Sequence, residues 1–190
     1  MGTRKARRQG GQAVKIVVTG PFAAGKTTLI RTISEITVLS TERGITDDTR
    51  SRKAETTVAM DFGRITIDRD LVLYLFGTPG QERFDFMWEI LGEGMLGYVL
   101  LVDATRPETM AEAESILAAF RRMAHVPFVV ALNRGDQAAL GEDDVRGALD
   151  LPLHVPVVPC DATDKDSVKN VLLALLYAVL DEIEAEAAHA

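Results

Sequence analysis

The sequence predicts an α/β fold: a doubly wound, mostly parallel six-stranded sheet with one antiparallel edge strand and helices on both faces. Short apolar runs of strand length alternate with segments whose apolar residues recur at helical spacing. One charged turn, residues 68–70, joins two neighbouring strands and indicates a hairpin. Because ligands bind such sheets beyond the carboxyl ends of the strands, we expect the functional residues in the loops that follow them.

The first half of the chain supplies one strand, one helix and the hairpin. A strand is predicted at residues 14–19, and a helix follows at residues 26–35. Residues 36–54 are polar and irregular, and the length of this segment favours a functional loop. The two strands of the hairpin are predicted at residues 57–67 and 71–76.

The second half supplies the remaining parallel strands and their helices. Apolar runs at residues 98–102, 128–132 and 155–159 are expected to be buried strands. Helices are predicted at residues 107–123 and 168–183, each with an apolar face directed at the sheet.

Composition favours one globular domain, expected at residues 14–190, after a disordered basic arm at residues 1–13. Of the 190 residues, 47% are hydrophobic, which is enough for a core. The 28 acidic residues outnumber the 21 basic ones, so nucleic acid is not an expected partner. No apolar run approaches the roughly 20 residues of a membrane span. We expect the basic arm to be a solvated tail, with weak peripheral membrane association as the alternative. The single cysteine, Cys160, is typical of a cytoplasmic protein.

A phosphate-binding motif lies between the first predicted strand and helix. Residues 20–27, Gly-Pro-Phe-Ala-Ala-Gly-Lys-Thr, match G-x-x-x-x-G-K-T in full. In this motif backbone N–H groups face phosphate oxygens, Lys26 reaches the terminal phosphates and the Thr27 hydroxyl binds Mg²⁺. The residues expected to bind phosphate are Gly20, Ala23, Ala24, Gly25, Lys26, Thr27 and Thr28.

A base-recognition motif follows the strand at residues 128–132. The Asp136 carboxylate can accept two hydrogen bonds from N1 and N2 of guanine, an arrangement that adenine does not offer. Taken alone, a turn with a capping Asp explains Asn133 and Asp136 equally well. The phosphate motif favours the nucleotide site.

These motifs together resemble the P-loop fold of the Ras-like small GTPases, whose guanine motif is Asn-Lys-x-Asp. Arg134 replaces the lysine, and its stem can still lie along the base. Residues 160–162, Cys-Asp-Ala, resemble the family's fifth motif, in which a backbone N–H supports the guanine oxygen. The resemblance implies GTP or GDP as ligand, Mg²⁺ as cofactor, and a guanine site formed by Asn133, Arg134, Asp136 and Ala162.

Two more stretches resemble the loops with which this family senses the nucleotide. Thr57 would bind Mg²⁺ and the γ-phosphate, and the neighbouring Thr56 is the alternative for this role. Thr57 could instead be a β-branched residue that begins a strand and binds no ligand. Residues 77–83 resemble Asp-x-x-Gly-Gln-Glu-Arg, in which Gly80 donates to the γ-phosphate and Gln81 orients water. The resemblance thus implies catalysis by Gln81, Thr57 and Lys26, and Mg²⁺ binding by Thr27 and Thr57.

Two positions depart from the family's pattern. Gly77 replaces the Asp that holds Mg²⁺ through water, so the anchor is missing or comes from another carboxylate such as Asp61 or Asp103. Phe22 stands where fast-hydrolysing members have a very small residue beside the γ-phosphate. We therefore expect slow intrinsic hydrolysis.

Both departures resemble a bacterial branch, which includes the gliding-motility polarity switch and actinobacterial ATP/GTP-binding proteins that accompany roadblock-fold partners. This implies protein regulators and effectors, a roadblock-fold protein among them, recruitment to the membrane by partners, and a monomer or a nucleotide-dependent dimer. The sequence thus predicts a GTPase switch. The alternatives are a nucleotide-binding scaffold with negligible hydrolysis and, ranked last, an ATP-dependent P-loop phosphotransferase.

Overall fold

A computed structural model of the chain describes residues 12–40, 60–79, 86–137 and 139–189. In these residues the strands are β1 (Gln12–Thr19), β2 (Leu39–Ser40), β3 (Asp61–Asp68), β4 (Leu71–Gly77), β5 (Met95–Asp103), β6 (Phe128–Asn133) and β7 (Val157–Cys160). The helices are α1 (Lys26–Ile33), α2 (Phe86–Gly92), α3 (Met110–Met123), α4 (Glu142–Ala148) and α5 (Lys165–His189).

The described strands form one sheet in the order β2-β3-β4-β1-β5-β6-β7. The neighbours from β4 to β7 are parallel, whereas β3 is antiparallel to β4 and β2 is antiparallel to β3. The predicted α/β fold is confirmed. The described sheet has seven strands rather than the predicted six, because the two-residue β2 pairs with the outer side of β3 and takes its place at the edge. So short a segment gives no sequence signal for a strand.

Several boundaries differ from the prediction. β1 begins at Gln12, whose backbone N–H donates to the Asp70 carbonyl at 2.6 Å, so Gln12 and Ala13 are part of the sheet. α5 is longer than predicted at both ends. α2 and α4 were not predicted, because seven residues are too few to display a helical period. Residues 107–109 form a 3-10 turn that precedes α3.

Side chains alternate between two apolar clusters along the central strands. On one face, Ile16 and Leu101 pack with α1 and α5. On the other, Val17, Tyr98 and Leu100 pack with α2, α3 and α4. Each fully buried large side chain stabilises the fold by about 1.5–3 kcal/mol, and together they fix the loops at the carboxyl ends of β1, β4, β5, β6 and β7 along one edge. Within the described ranges, no helix is both long and apolar enough to span a membrane.

Candidate functional site

The phosphate loop connects β1 to α1 through a tight backbone turn. Gly20, Ala23 and Gly25 have positive φ angles of 142°, 61° and 107°. A Cβ on Gly20 would lie 2.1 Å from the Leu101 carbonyl oxygen, so only glycine fits where β1 passes β5. A backbone of this kind turns successive N–H groups toward one point and forms a cradle for anions. Of the other predicted contacts, Ala24 is buried and Thr28 is exposed in the first turn of α1.

The Lys26 ammonium lies inside this loop. The residue is 8% exposed, and Nζ donates to the carbonyl oxygens of Gly20 at 2.6 Å and Pro21 at 2.8 Å. A cation held at the mouth of a cradle of N–H groups suits a polyphosphate. The contact of Lys26 with the terminal phosphates stays a prediction.

Thr27 lies beside a carboxylate that comes from β3. Its hydroxyl donates to Asp61 Oδ2 at 2.5 Å, and the other carboxylate oxygen of Asp61 is buried with no hydrogen-bond partner in the described part of the chain. Asp61 pairs with Gly77 across β3 and β4. A Cβ on Gly77 would lie 3.1 Å from Asp61 Cβ and 2.9 Å from Ile30 Cδ1, so a larger residue there would crowd Asp61.

This arrangement fits a magnesium ion. A hydroxyl and a carboxylate are oxygen ligands of the kind Mg²⁺ takes, and Mg²⁺ usually keeps several waters that need acceptors. The unpaired oxygen of Asp61 is such an acceptor. Of the two carboxylates considered from the sequence, the structure brings Asp61 to Thr27, whereas Asp103 lies with Arg134 on the side of the base motif.

Asn133 connects three of the motifs. Its side-chain amide donates from Nδ2 to the Ala24 carbonyl at 2.9 Å and accepts at Oδ1 from the Ala162 N–H at 3.0 Å. Gly25 must be small here, since a Cβ would lie 2.6 Å from Nδ2. Asn133 is 3% exposed and contacts protein on both sides. These two hydrogen bonds join the phosphate loop to the loop after β7, and the contact of Asn133 with guanine stays a prediction.

The hydrogen bond from the Ala162 N–H to Asn133 bears on the role predicted for Ala162. The Ala162 N–H was expected to donate to the guanine oxygen, yet Asn133 already accepts it. Donation to a base would require this hydrogen bond to be shared or exchanged, because one N–H makes one well-aligned bond. The contact of Ala162 with guanine stays a prediction.

Arg134 and Asp103 form an ion pair under the base motif. Arg134 has a φ of 60°, and its guanidinium bonds to a carboxylate oxygen of Asp103, whose side chain is buried. Burial pushes the pKa of Asp103 upward, but hydrogen bonds from Thr105 and the charge of Arg134 outweigh it, so the pKa lies below its ordinary value. Asp103 is therefore ionised and holds the arginine in place.

Asp136 is exposed in the 3-10 turn Gly135–Gln137. Within the described residues its carboxylate contacts only Gln137, whose Nε2 lies 3.5 Å from Oδ2. An exposed carboxylate beside a ligand loop can accept hydrogen bonds from a bound molecule.

The loop after β7 carries Cys160 and Asp161. Burial raises the pKa of the Cys160 thiol to about 12, so this cysteine is an inert buried residue, as the sequence indicated. Hydrogen bonds from Thr163 hold the pKa of Asp161 below its ordinary value. Asp161 thus caps its own turn, at the position where the resembling family has serine.

Sequence reasoning missed the residues that hold the tip of the phosphate loop. The Phe22 N–H donates to Glu112 Oε1 at 3.1 Å, and its carbonyl accepts from Arg106 Nη1 at 3.2 Å. The ring of Phe22 is 57% exposed at the edge of the site. Both partners lie more than 80 residues away along the chain, so no local pattern could have indicated them.

A second missed contact joins β1 to the end of β4. The Thr78 hydroxyl donates to the Thr19 hydroxyl at 2.9 Å, and both residues are buried. This bond fixes the chain just before residues 80–85. The predicted Thr56, Thr57, Gly80 and Gln81 lie outside the described residues, and their roles stay predictions.

Comparison with known proteins agrees with a nucleotide site. Residues 18–182 match a family model described as "Conserved hypothetical ATP binding protein". An uncharacterized protein of Methanocaldococcus jannaschii is 30% identical over 132 residues, or 70% of this chain and 77% of that protein. Ras-related protein SEC4 of Saccharomyces cerevisiae is 24% identical over 68% of this chain and 63% of its own.

A third relative is similar over a limited part of its length. Translation initiation factor IF-2 of Clostridium tetani is 29% identical over 89% of this chain, but only 24% of the factor is covered. Residues 18–182, which match the family model, include the phosphate loop, Asp61, Asn133 and Ala162. The chain belongs to the conserved hypothetical ATP-binding protein family, and it is a nucleotide-binding P-loop protein with a small-GTPase-like relationship.

Proposed function

We propose that this protein is a guanine-nucleotide switch, which binds GTP or GDP with Mg²⁺ and slowly hydrolyses GTP to GDP and phosphate. The observation that carries the proposal is the exposed Asp136 carboxylate, on a loop that Asn133 ties to the phosphate loop. A base recognised by Asp136 and a polyphosphate held by Lys26 would occupy the two ends of one continuous site.

Guanine suits this site because it presents two adjacent donors, N1–H and N2–H, to a carboxylate. Adenine offers an acceptor at N1, which the Asp136 carboxylate would repel. Arg134, held by Asp103, provides a planar cation beside the base. The description of the family as ATP-binding makes ATP the competing ligand.

Hydrolysis needs positioning rather than a covalent step. Water attacks the γ-phosphorus, the bond to the bridging oxygen breaks, and GDP leaves as phosphate forms. Lys26 neutralises the terminal phosphates, and Thr27 with Asp61 would hold Mg²⁺ and its waters. When bound, Mg²⁺ would neutralise part of the negative charge of the phosphates. Gln81 is proposed to orient the attacking water.

A scaffold that retains nucleotide is the second candidate. The exposed ring of Phe22 at the tip of the phosphate loop favours it, because a bulky side chain there can exclude the attacking water or an arginine from a partner. Single-turnover phosphate release from bound GTP separates the two: a slow but measurable rate supports the switch, and none supports the scaffold.

The bacterial branch and its partners belong to the same proposal. If the protein is a switch of that branch, protein regulators and effectors read its nucleotide state, and a roadblock-fold protein is the first partner to test. Recruitment from the cytoplasm to a membrane would then depend on those partners. The resemblance of the phosphate loop and of residues 77–83 supports this expectation.

Substitution of Asp136 by Asn tests the choice of base directly. The amide donates where the carboxylate accepts, so Asp136→Asn should lose GTP and gain xanthosine triphosphate, whose base has a carbonyl at C2. We expect GTP affinity to fall at least about tenfold, the effect of one lost charge-assisted hydrogen bond. Asp143→Asn, an exposed acid on α4, is the matched control.

The measurement is competition of GTP, ATP and xanthosine triphosphate against a fluorescent nucleotide in the presence of Mg²⁺. Exchange of GTP preference for xanthosine triphosphate in Asp136→Asn alone supports the guanine site. ATP binding that is tighter than GTP binding and indifferent to Asp136→Asn would refute it and favour the phosphotransferase.

A further inference from the structure

Glu112 lies beside the tip of the phosphate loop without a cation that balances its charge. Its Oε1 accepts from the Phe22 N–H at 3.1 Å, and the residue belongs to the first turn of α3. In the part of the chain that the structure describes, Glu112 forms no ion pair. The dipole of a helix favours a carboxylate in its first turn. A negative charge is therefore held against the loop tip by a hydrogen bond.

Arg106 contacts the same peptide, but its charge is balanced by a partner. Nη1 donates to the Phe22 carbonyl at 3.2 Å, and Nε donates to Glu108 Oε1 at 3.0 Å. The loop tip thus has one cation, Arg106, against two carboxylates, Glu108 and Glu112. One negative charge is left over, and Glu112 carries it.

The outer end of a bound polyphosphate would lie at the same part of the loop. Asn133 holds the Ala24 carbonyl on the side of the base motif, whereas Lys26 Nζ lies against the Pro21 carbonyl. In a loop of this type the lysine reaches the outer phosphates, and the N–H groups at the start of the helix hold the inner ones. Phe22 follows Pro21 directly, so its peptide borders the outer end.

We propose that Glu112 lowers the affinity of the site for a nucleoside triphosphate relative to the diphosphate. A triphosphate carries more negative charge than a diphosphate, and the added charge enters at the end of the loop where Glu112 lies. Like charges repel, so the carboxylate acts against the triphosphate selectively. This role of Glu112 rests on the proposed function in one respect, the binding of nucleotide at the phosphate loop, and it is independent of the base and of hydrolysis.

The size of the effect follows from the separation of the charges. The carboxylate acts through one peptide unit, and two unit charges about 7 Å apart repel by a factor of about 3 in water and about 50 at the dielectric constant of a protein surface. Glu112 is half-buried, so solvent screens part of this repulsion. We expect a change of at least about threefold in relative affinity.

The test is competition binding of four nucleotides at constant Mg²⁺: GDP, a GTP analogue with a non-hydrolysable β–γ bridge, ADP and the matching ATP analogue. Glu112→Gln keeps an oxygen that accepts from the Phe22 N–H but removes the charge. It should raise the affinity for triphosphate relative to diphosphate at least about threefold. Glu114→Gln, which changes an exposed acid on the same helix, should leave this ratio unchanged. The thermal unfolding midpoint of each variant shows whether the fold is intact.

Arg106 provides a second test with the opposite sign. Arg106→Gln removes the cation from the loop tip, so it should lower the affinity for triphosphate relative to diphosphate. If the two side chains only supported the shape of the loop, Glu112→Gln, which keeps its hydrogen bond, would change nothing. Opposite shifts in the two variants therefore separate the effect of charge from loop support.

An unchanged ratio in Glu112→Gln overturns the proposal, and so does a shift in the same direction in Arg106→Gln. Tighter binding of adenine than of guanine nucleotides would refute the guanine site alone, because ADP and the ATP analogue then report the ratio and decide the role of Glu112. A wild-type chain that binds none of the four nucleotides overturns the nucleotide site and the role of Glu112 together.

Discussion

Replacement of Asp61 by Asn tests whether the Asp61 carboxylate supports the binding of Mg²⁺. The amide keeps the shape of the side chain and an oxygen for the Thr27 hydroxyl, but it removes the negative charge of the carboxylate. Residues that support a metal ion from outside its direct ligands are worth about 10- to 100-fold in affinity, or about 1.4–2.8 kcal/mol. We expect the Mg²⁺ concentration needed for half-maximal nucleotide binding to rise by this factor.

The assay is a Mg²⁺ titration of fluorescent GDP binding, with Asp68→Asn on the same strand as the control. A more decisive test moves the carboxylate from position 61 to position 77. Gly77→Asp alone should destabilise the fold by crowding Asp61 and Ile30, whereas Asp61→Gly together with Gly77→Asp removes the first contact and should recover most of the Mg²⁺ affinity. Unchanged Mg²⁺ dependence in Asp61→Asn, or a double variant weaker than Asp61→Asn, would refute this reasoning.

Three further outcomes are expected. Asn133→Ala leaves two buried backbone groups unpaired, the Ala162 N–H among them, at roughly 1–3 kcal/mol each, so the thermal unfolding midpoint should fall. Phe22→Ala should raise the single-turnover rate of GTP hydrolysis by about tenfold if the ring excludes water or a partner's arginine. Because the pKa of Asp103 is lowered in the folded state, the stability it gives is present above its unfolded value of about 3.9 and is lost as pH falls through the folded value. Urea unfolding should therefore show a stability gap between wild type and Asp103→Asn that is constant from about pH 7 to 5 and shrinks in stronger acid.

Each of these has a matched control. Gln137→Ala, in the exposed turn beside the base motif, should not lower the unfolding midpoint as Asn133→Ala does. Leu39→Ala removes an exposed apolar side chain elsewhere and should leave hydrolysis unchanged. Glu114→Gln, which changes an exposed acid on α3, should show no such gap from about pH 7 to 5. A Phe22→Ala rate equal to that of wild type, or an Asp103 gap that widens in acid, would contradict the corresponding argument.

The parts predicted best from the sequence are those in which local spacing dictates the geometry. Gly20, Gly25 and Lys26 are fixed by one short segment between a strand and a helix, so the phosphate loop could be assigned residue by residue. The doubly wound sheet followed from the alternation of apolar runs with helical periods. Short helices such as α2 and α4 gave no comparable signal.

The sequence could not show which carboxylate takes the place of the aspartate that is missing at Gly77. Asp61 faces Gly77 only because an irregularity between Thr66 and Asp68 shifts the pairing of β3 with β4 by one residue. Without the shift, Asp61 would pair with Thr78 and point to the other face of the sheet. Register of this kind depends on tertiary packing, as do the contacts of Phe22 with Glu112 and Arg106.

The bonds of Asn133 have a consequence for how a nucleotide leaves. One amide holds both the phosphate loop and the loop after β7, so a movement of Asn133 disturbs both loops at once. Departure of the ligand would then be a concerted event, and its rate would report the breaking of this single junction. A protein that accelerates release needs to reach only one end of the pocket, and the asparagine transmits the disturbance to the other.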